Sequence, residues 1–356
     1  MYKVYVTILP QKKVTARMPT LTWEPITLKL RNPFRLSYGV DETRTAHWLR
    51  LTGDSGWGEG TIPGYYHISD QSMFDCWQAA ASRTLPFPDD PAEIPAWVGA
   101  EGPAPARCAL DLAVHDRIAR QRRIPLFALL GLPRPAPKPT SFTIAIDTPQ
   151  EMARQALAIP RYPVIKVKLG SEDDISRLDA IRRARPDARL RVDANAGWTR
   201  EEAFEHVRKL EKFNLEMIEQ PLAKEDIEGL GLVQARTSIP VVADESLLTL
   251  EDVDRLAAVG VKGINLKLMK VGGLAPAVRV LRRAHLLGLR VMLGCMIETS
   301  IGVTAMAHLS GLAEWLDLDA PLLISNDPFI GIKIDEFATL NLPDRPGIGV
   351  IKNDGL

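Results

Sequence analysis

The chain of 356 residues has no excess of either charge, since 44 lysines and arginines offset 44 aspartates and glutamates. That balance removes the electrostatic case for a nucleic-acid or membrane partner. Cysteine is scarce. Cys76, Cys108 and Cys295 share no metal-like spacing, which argues against a disulfide framework and fits a reducing cytoplasm. No apolar run approaches the roughly 20 residues of a membrane span, and no segment is of low complexity. The opening MYKVYVTILPQKKVTARM lacks any acidic residue, as presequences do. Its apolar stretch is short and runs into a proline and QKK, so a secretory signal is not expected. A first strand, or an extension over residues 1–20 ahead of a start near Met18, is the favoured reading.

From residue 140 a regular pattern begins. Short apolar strands recur as SFTIAID (141–147), VIKVKLG (164–170), LRVDANA (190–196), LEMIEQP (215–221), PVVADE (240–245), GINLKL (263–268), RVMLGCM (290–296) and LDLDAP (316–321). Amphipathic stretches such as EDDISRLDAIRRAR and REEAFEHVRKLEKF lie between them, at helical spacing. The interval is about 22–28 residues, that of a repeated βα unit, and it predicts a parallel sheet. Eight such strands point to a closed (β/α)8-type, TIM-like barrel over 140–324. The first βα turns have no G-x-G-x-x-G, which weakens a dinucleotide-binding alternative. Residues 1–139 read as a separate α+β domain of antiparallel strands, then a long and a short helix, joined to the barrel by LPRPAPKPT (132–140). Residues 325–356 are expected to return to that first domain.

Functional groups of a βα barrel collect at the C-terminal ends of its strands. Here those ends carry Lys166 and Lys168, then Asp193 with Asn195, then Glu219, then Asp244 with Glu245, then Asn265 and Lys267. Alternation along INLKL sends Ile264, Leu266 and Leu268 outward, and Asn265 and Lys267 inward; by the same rule Lys166 and Lys168 face the barrel axis. A single acid at a strand end commonly caps a helix or makes a surface ion pair. Three acids on successive strands, flanked by inward lysines, would repel one another in a dry volume unless a cation joins them. All-oxygen ligands select a hard ion such as Mg²⁺, one per site. Lysines on the second and sixth strands stand on opposite sides of the axis, so one can take a proton from a carbon that the other re-protonates. Lys168 and Lys267 are the expected pair. Lys166 is read as an electrostatic or structural neighbour, and Lys270 as facing a loop or solvent.

Lys-x-Lys on the second strand, DANAGW, IEQPL, ADES and NLKLMKVGG together resemble the enolase superfamily, in its muconate-lactonizing-enzyme-like subgroup. The resemblance runs from about residue 25 to the C-terminus and includes CALDLAVHD and PLFALLG. It implies a capping domain closing the mouth of a modified barrel. It also implies Mg²⁺ on Asp193, Glu219 and Asp244, acid/base lysines Lys168 and Lys267, and Asn195 and Asn265 in support. Such sites pair a lysine base with Mg²⁺ and pass through an enediolate.

Within the subgroup, the last strand bears on substrate. LDLDAPLLI places Asp317 and Asp319 on one strand face, with no lysine or arginine near in sequence, so a substrate ammonium would suit them. Caps of a following helix are the alternative. GCMIETSIG with DLDAP resembles the dipeptide epimerases, which implies that Asp317 and Asp319 bind an α-ammonium. Thr143, Lys166, Cys295, Met296 and Ile297 would then line the pocket, with Glu298 structural. Members acting on L-Ala-D/L-Glu can carry an arginine a few residues after a PF pair. After Pro33 and Phe34 that position is Gly39, with Asp41 and Glu42 following, and Arg35 and Arg44 are out of register. An acidic second residue is therefore not expected. Tyr65, Tyr66 and His67, in IPGYYHIS, favour an apolar, aromatic or basic side chain unless they merely pack. The expected protein is a homo-oligomeric, Mg²⁺-dependent dipeptide epimerase. Subgroup alternatives are a cycloisomerase, an o-succinylbenzoate-synthase-like lyase or an N-acylamino acid racemase; a catalytically silent binding scaffold is the alternative from another class.

Overall fold

The computed structural model describes residues 20–355 except Tyr38, Pro63 and Thr84. The expected extension therefore lies, apart from Thr20, outside the described residues. Strands β1 (Leu21–Leu36), β2 (Gly39–Leu51) and β3 (Trp57–Thr61) form an antiparallel sheet in that order. β1 and β2 pair from Leu21↔Leu51 to Lys29↔Thr43, lose register, and resume at Phe34↔Asp41. The surplus residues of β1 include Pro33, which has no N–H to give a ladder, and form a bulge that bends the hairpin.

Helices α1 (Asp70–Ala81) and α2 (Ala104–Arg122) complete this first region. The sequence GWGEG explains how α2 docks. Gly56, Gly58 and Gly60 share one face of the chain leading into and along β3. A Cβ on Gly58 would lie 1.9 Å from the Ala109 carbonyl oxygen, and one on Gly56 2.1 Å from that of Ala113. The glycine face thus lets the α2 backbone lie directly on the strand.

β3's other face carries Glu59 into the second region. Its buried carboxylate accepts from Thr299 N (2.8 Å), Thr299 Oγ1 (2.6 Å) and Gly302 N (3.0 Å), capping the helix Ser300–Ala307. On α2, Asp111 accepts from Leu274 N (2.6 Å) and Ala275 N (3.3 Å), at the start of the helix Leu274–Leu286. Asp116 accepts from Trp57 N and Ile348 N at 2.9 and 2.8 Å.

The second region is an eight-stranded parallel sheet: β4 (Phe142–Ile144), β5 (Val164–Lys168), β6 (Arg189–Asp193), β7 (Leu215–Glu219), β8 (Val241–Ala243), β9 (Gly263–Leu266), β10 (Arg290–Gly294) and β11 (Trp315–Asp317). Neighbours in space are neighbours in sequence. β4 and β11 meet through Ser141 N to Leu316 O (3.0 Å), Leu318 N to Thr140 Oγ1 (2.7 Å) and Thr143 N to Asp319 Oδ2 (2.8 Å). These bonds close a barrel without a regular ladder.

Outward residues such as Ile165, Val192, Ile218, Ile264 and Leu293 are fully buried against the helices. Inward residues Met217, Val242, Met292 and Trp315 form a small separate cluster that floors the barrel. Two strands end earlier than alternation predicts. β4 stops at Ile144, and β11 stops at Asp317 because Ala320–Leu323, with its proline in the first turn, coils into a short helix. That turn stands where the eighth barrel helix would be. Beyond it Ser325 N bonds to Lys29 O (2.9 Å) and Lys29 N to Asn326 Oδ1 (2.7 Å), tying the chain to the β1 bulge.

Replacing Asp111 by alanine would leave two helix-start N–H groups without an acceptor, that of Leu274 buried and that of Ala275 partly so. The expected cost is about 2–3 kcal/mol, read as a lowered urea midpoint; Asp111→Asn should recover part of it through its carbonyl oxygen.

Candidate active site

The strand ends beneath β1–β3 hold a dense set of buried ionic groups. Lys166 Nζ lies 2.7 Å from Asp317 Oδ2, 2.7 Å from Glu219 Oε2 and 3.0 Å from Asp193 Oδ2, and so touches three strands at once. Lys168 Nζ binds Asp193 Oδ2 at 2.7 Å. Across the barrel Lys267 Nζ binds Asp244 Oδ2 at 2.7 Å. Asn265 Nδ2 donates to Glu219 Oε1 (2.7 Å), and Asn195 Nδ2 to Glu245 Oε1 (3.2 Å). A Cβ on Gly294 would meet the Asn265 amide at 2.6 Å and Lys267 Cε at 3.0 Å, so β10 yields the space those side chains occupy.

Burial and like charge set the protonation of this cluster. Burial, then Asp193 and Asp244, push Glu219 up to about 8. Burial and the same two aspartates raise Glu245 to about 7. Burial and Asp317 raise Asp319 to about 6. Asp317 behaves oppositely: burial opposes its ionisation, but Lys166 overrides it and holds the carboxyl at about 2. Asp244, also opposed by burial, is driven far down by Lys267 and Lys270. In return, despite burial, Asp317, Glu219 and Asp193 lift Lys166, and Asp244 lifts Lys267, well above the usual lysine value.

Six buried carboxyl groups (Asp193, Glu219, Asp244, Glu245, Asp317, Asp319) face four buried ammonium groups (Lys166, Lys168, Lys267, Lys270), so full ionisation would leave two negative charges unanswered, and the raised values of Glu219 and Glu245 reflect burial together with that surplus. Buried acceptors lack donors here too. Glu219 Oε2, close to Lys166 but off its bonding direction, Glu245 Oε2 and Asn195 Oδ1 have no hydrogen bond. Acceptors without donors, and acids that stay protonated for want of a cation, fit one divalent ion displacing those protons. Among the described residues no three His, Cys, Asp or Glu side chains already converge at ligand spacing. Lys166 bridges Asp193 and Glu219 instead.

Above the cluster is a cavity of about 90 Å³, whose cap-side wall includes Phe34, Leu36, Ile62, Tyr65 and Tyr66. Lys168 Nζ lies 6.0 Å from the Phe34 ring. Lys224 Nζ sits 5.1 Å from the Tyr65 ring and 5.2 Å from that of Tyr66, fastening this segment to the barrel. Thr143, Cys295, Met296, Ile297, Asp317 and Asp319 line the same cavity.

Comparison with known proteins accords with this geometry. The family "Enolase C-terminal domain-like" matches residues 150–354. The L-Ala-D/L-Glu epimerase of Bacteroides thetaiotaomicron is 35% identical over 93% of this chain and 88% of that protein. The hydrophobic dipeptide epimerase of Roseobacter litoralis is 34% identical over 92% of this chain and 97% of its own length. Among solved structures, a dipeptide epimerase from Enterococcus faecalis complexed with Mg and L-Leu-L-Tyr superimposes with a TM-score of 0.86 at 29% identity, covering 93% of this chain and 98% of that one. The chain belongs to the enolase superfamily.

Several residues of this superfamily member lie elsewhere than expected. Lys270 is not solvent-facing: its ammonium is buried on Asp244 and accepted by Asn265 O at 3.0 Å. The short helix Leu268–Val271, which begins directly after Lys267, turns it back into the site. Asp317 does not lack a cation, because Lys166 reaches it from across the sequence. Asp319 is beyond the strand, at the start of the helix Ala320–Leu323. Arg44 does reach the cavity wall, where it pairs with Asp41. Gly39 and His67 are exposed and outside the lining.

Gln220 was not singled out by the sequence. At a left-handed φ of 32°, it accepts from Asp244 N (2.8 Å) and Ser246 N (3.2 Å) and donates to Leu222 O (2.8 Å), fixing the strand end that presents Asp244. The signal available was a lone amide inside an apolar strand end.

Glu219 and Glu245 have folded pKa values of about 8 and 7 against about 4.3 when unfolded. The folded metal-free chain therefore holds extra protons, and stability falls as pH rises through that window. Asp317, held at about 2, gives stability that is lost only below about pH 4. His47 and His308 are lowered by burial, whereas His115, despite burial, is raised by Asp111 and loses stabilisation in the same direction as pH rises; the dependence on divalent ion is what isolates the glutamates. The chelator-treated protein should thus melt lower at pH 8.5 than at pH 7 by calorimetry, with the divalent-ion increment larger at pH 8.5. Equal midpoints would contradict this assignment.

Proposed function

We propose that this chain is a Mg²⁺-dependent dipeptide epimerase that inverts the α-carbon of the C-terminal residue by two-base 1,1-proton transfer. The relatives compared above are named an L-Ala-D/L-Glu epimerase and dipeptide epimerases, and one was crystallised with Mg and a dipeptide. Asp193, Glu219 and Asp244 would hold the ion. When bound, it would neutralise the substrate carboxylate and so reduce the cost of removing the adjacent proton. Lys168 and Lys267, on the second and sixth strands, then face the α-carbon from opposite sides. One removes the proton and the other, protonated, delivers one to the opposite face. Their roles exchange in the reverse reaction.

The observation that carries the dipeptide reading is Asp319. Its carboxylate is buried in the cavity wall, receives Thr143 N–H, and has no ammonium within ion-pair distance among the described residues. A substrate α-ammonium supplies the missing cation. An N-acylated or unsaturated substrate would leave it unanswered, which sets this reading above the racemase, cycloisomerase and lyase alternatives. The cap wall is apolar and aromatic, and its Asp41–Arg44 pair is charge-compensated, so it is not built to select an acidic second residue. Three free cysteines suit a reducing compartment.

Lys168→Ala and Lys267→Ala are each expected to lower epimerisation at least about 10³-fold by polarimetry. In D₂O each variant should still exchange the α-proton of one epimer; full activity in either would refute the two-base assignment. Asp319→Asn should raise KM for a dipeptide about 10²-fold and erase discrimination against its N-acetylated form. Unchanged KM would count against the ammonium assignment.

A further inference from the structure

A second chamber adjoins the catalytic cavity. It encloses about 250 Å³ and shares three wall residues with it: Phe34, Thr143 and Leu323. It lies at the top of the seam between β4 and β11. There the barrel is joined at Thr143 by a side chain, Thr143 N to Asp319 Oδ2, in place of a backbone ladder. Phe142, Ile146, Ile159 and Leu322 make about half of its surface apolar, and Asn32, Gln155 and charged side chains make the rest. Its charged members are already engaged: Arg154 binds Glu151 through two nitrogens, Asp147 faces Arg35 at 3.7 Å, and Arg31 donates to Leu322 O.

We propose that this chamber receives the side chain of the dipeptide's N-terminal residue, and that the class it takes is large and uncharged. The inference rests on the dipeptide reading, because it starts from an α-ammonium at Asp319. The N-terminal Cα is one bond from that ammonium, so it stands at the seam. The ammonium ends the peptide, and the peptide bond leads back to the lysines. The remaining heavy substituent on that carbon is the side chain, and the adjoining space is the second chamber. A large side chain that fills the chamber removes its own apolar surface and that of Phe142, Ile146, Ile159 and Leu322 from water, and the engaged charges of the lining leave none free to answer a charged side chain.

The test uses the full chain with Mg²⁺ and three substrates: L-Ala-L-Leu, L-Leu-L-Leu and L-Phe-L-Leu. Wild-type kcat/KM should be at least about tenfold higher for a leucine or phenylalanine N-terminus than for alanine. Ala158 closes the helix Pro149–Leu157 at an exposed position and lines the second chamber but not the catalytic cavity. Ala158→Trp should cut the Phe-to-Ala ratio of kcat/KM about tenfold by occupying that space. Ala145→Phe, entering from the strand side, should do the same. A ratio unchanged in both variants, including an equal loss on all substrates, overturns the proposal. Wild-type turnover of L-Ala-L-Leu separates the two readings. Its absence with every dipeptide sinks the epimerase assignment, whereas turnover with an unaltered ratio sinks the chamber alone.

Discussion

Lys166 is the hinge of the electrostatics. One buried ammonium touches Asp193, Glu219 and Asp317, carboxylates from three strands. Ion pairs of this kind do not stabilise a fold, because desolvating the charges costs about what their attraction returns. Their value is organisational. With Lys166 in place, Asp193 and Asp317 stay ionised, while Glu219 keeps a raised pKa and an oxygen with no hydrogen bond. The cluster is therefore poised for a further cation without collapsing in its absence.

Such a site requires a scaffold that tolerates its cost. The outward strand residues and barrel helices supply one large apolar core. The cap contributes carboxylates to barrel helices rather than a second apolar interface alone. Glu59 and Asp111 each complete the first turn of a barrel helix. The glycine face at residues 56–60 sets α2 flush on β3, which places Asp111 on the same docked element. Cap and barrel are thereby joined through backbone hydrogen-bonding needs, which admit few orientations. The aromatic segment above the cavity inherits its position from that docking.

Period-two alternation made much of this legible. It aims Lys166, Lys168 and Lys267 inward, and the βα rhythm identifies a barrel. It failed where the backbone ceased to be a strand. Lys270 is one helical turn past Lys267, so a strand rule sent it the wrong way. Asp319 lies beyond β11 for the same reason. Long-range pairing was equally hidden. No local pattern tells that Lys166 answers Asp317, or that Arg44 pairs with Asp41 in the cavity wall after β1 loses register. Gly39 and His67 are neighbours in sequence of Asp41 and Tyr66, which reach the wall, but they are themselves exposed and outside it.

The difference between Asp317 and Asp319 shows how local geometry divides labour. Both are buried and belong to one short motif, yet one is held at about 2 and the other at about 6. Asp317 still lies on the strand and points to the lysine on β5. Asp319 begins a helical turn, stands in the β4–β11 seam and meets a backbone N–H instead. The seam exists because four residues, Ala320–Leu323, replace a full eighth helix, after which the chain bonds to the β1 bulge at Lys29. The register loss in β1, the truncated last βα unit and the unanswered carboxylate are thus one structural unit. A barrel closed by a complete ladder and helix would leave Asp319 no opening in which to face a substrate.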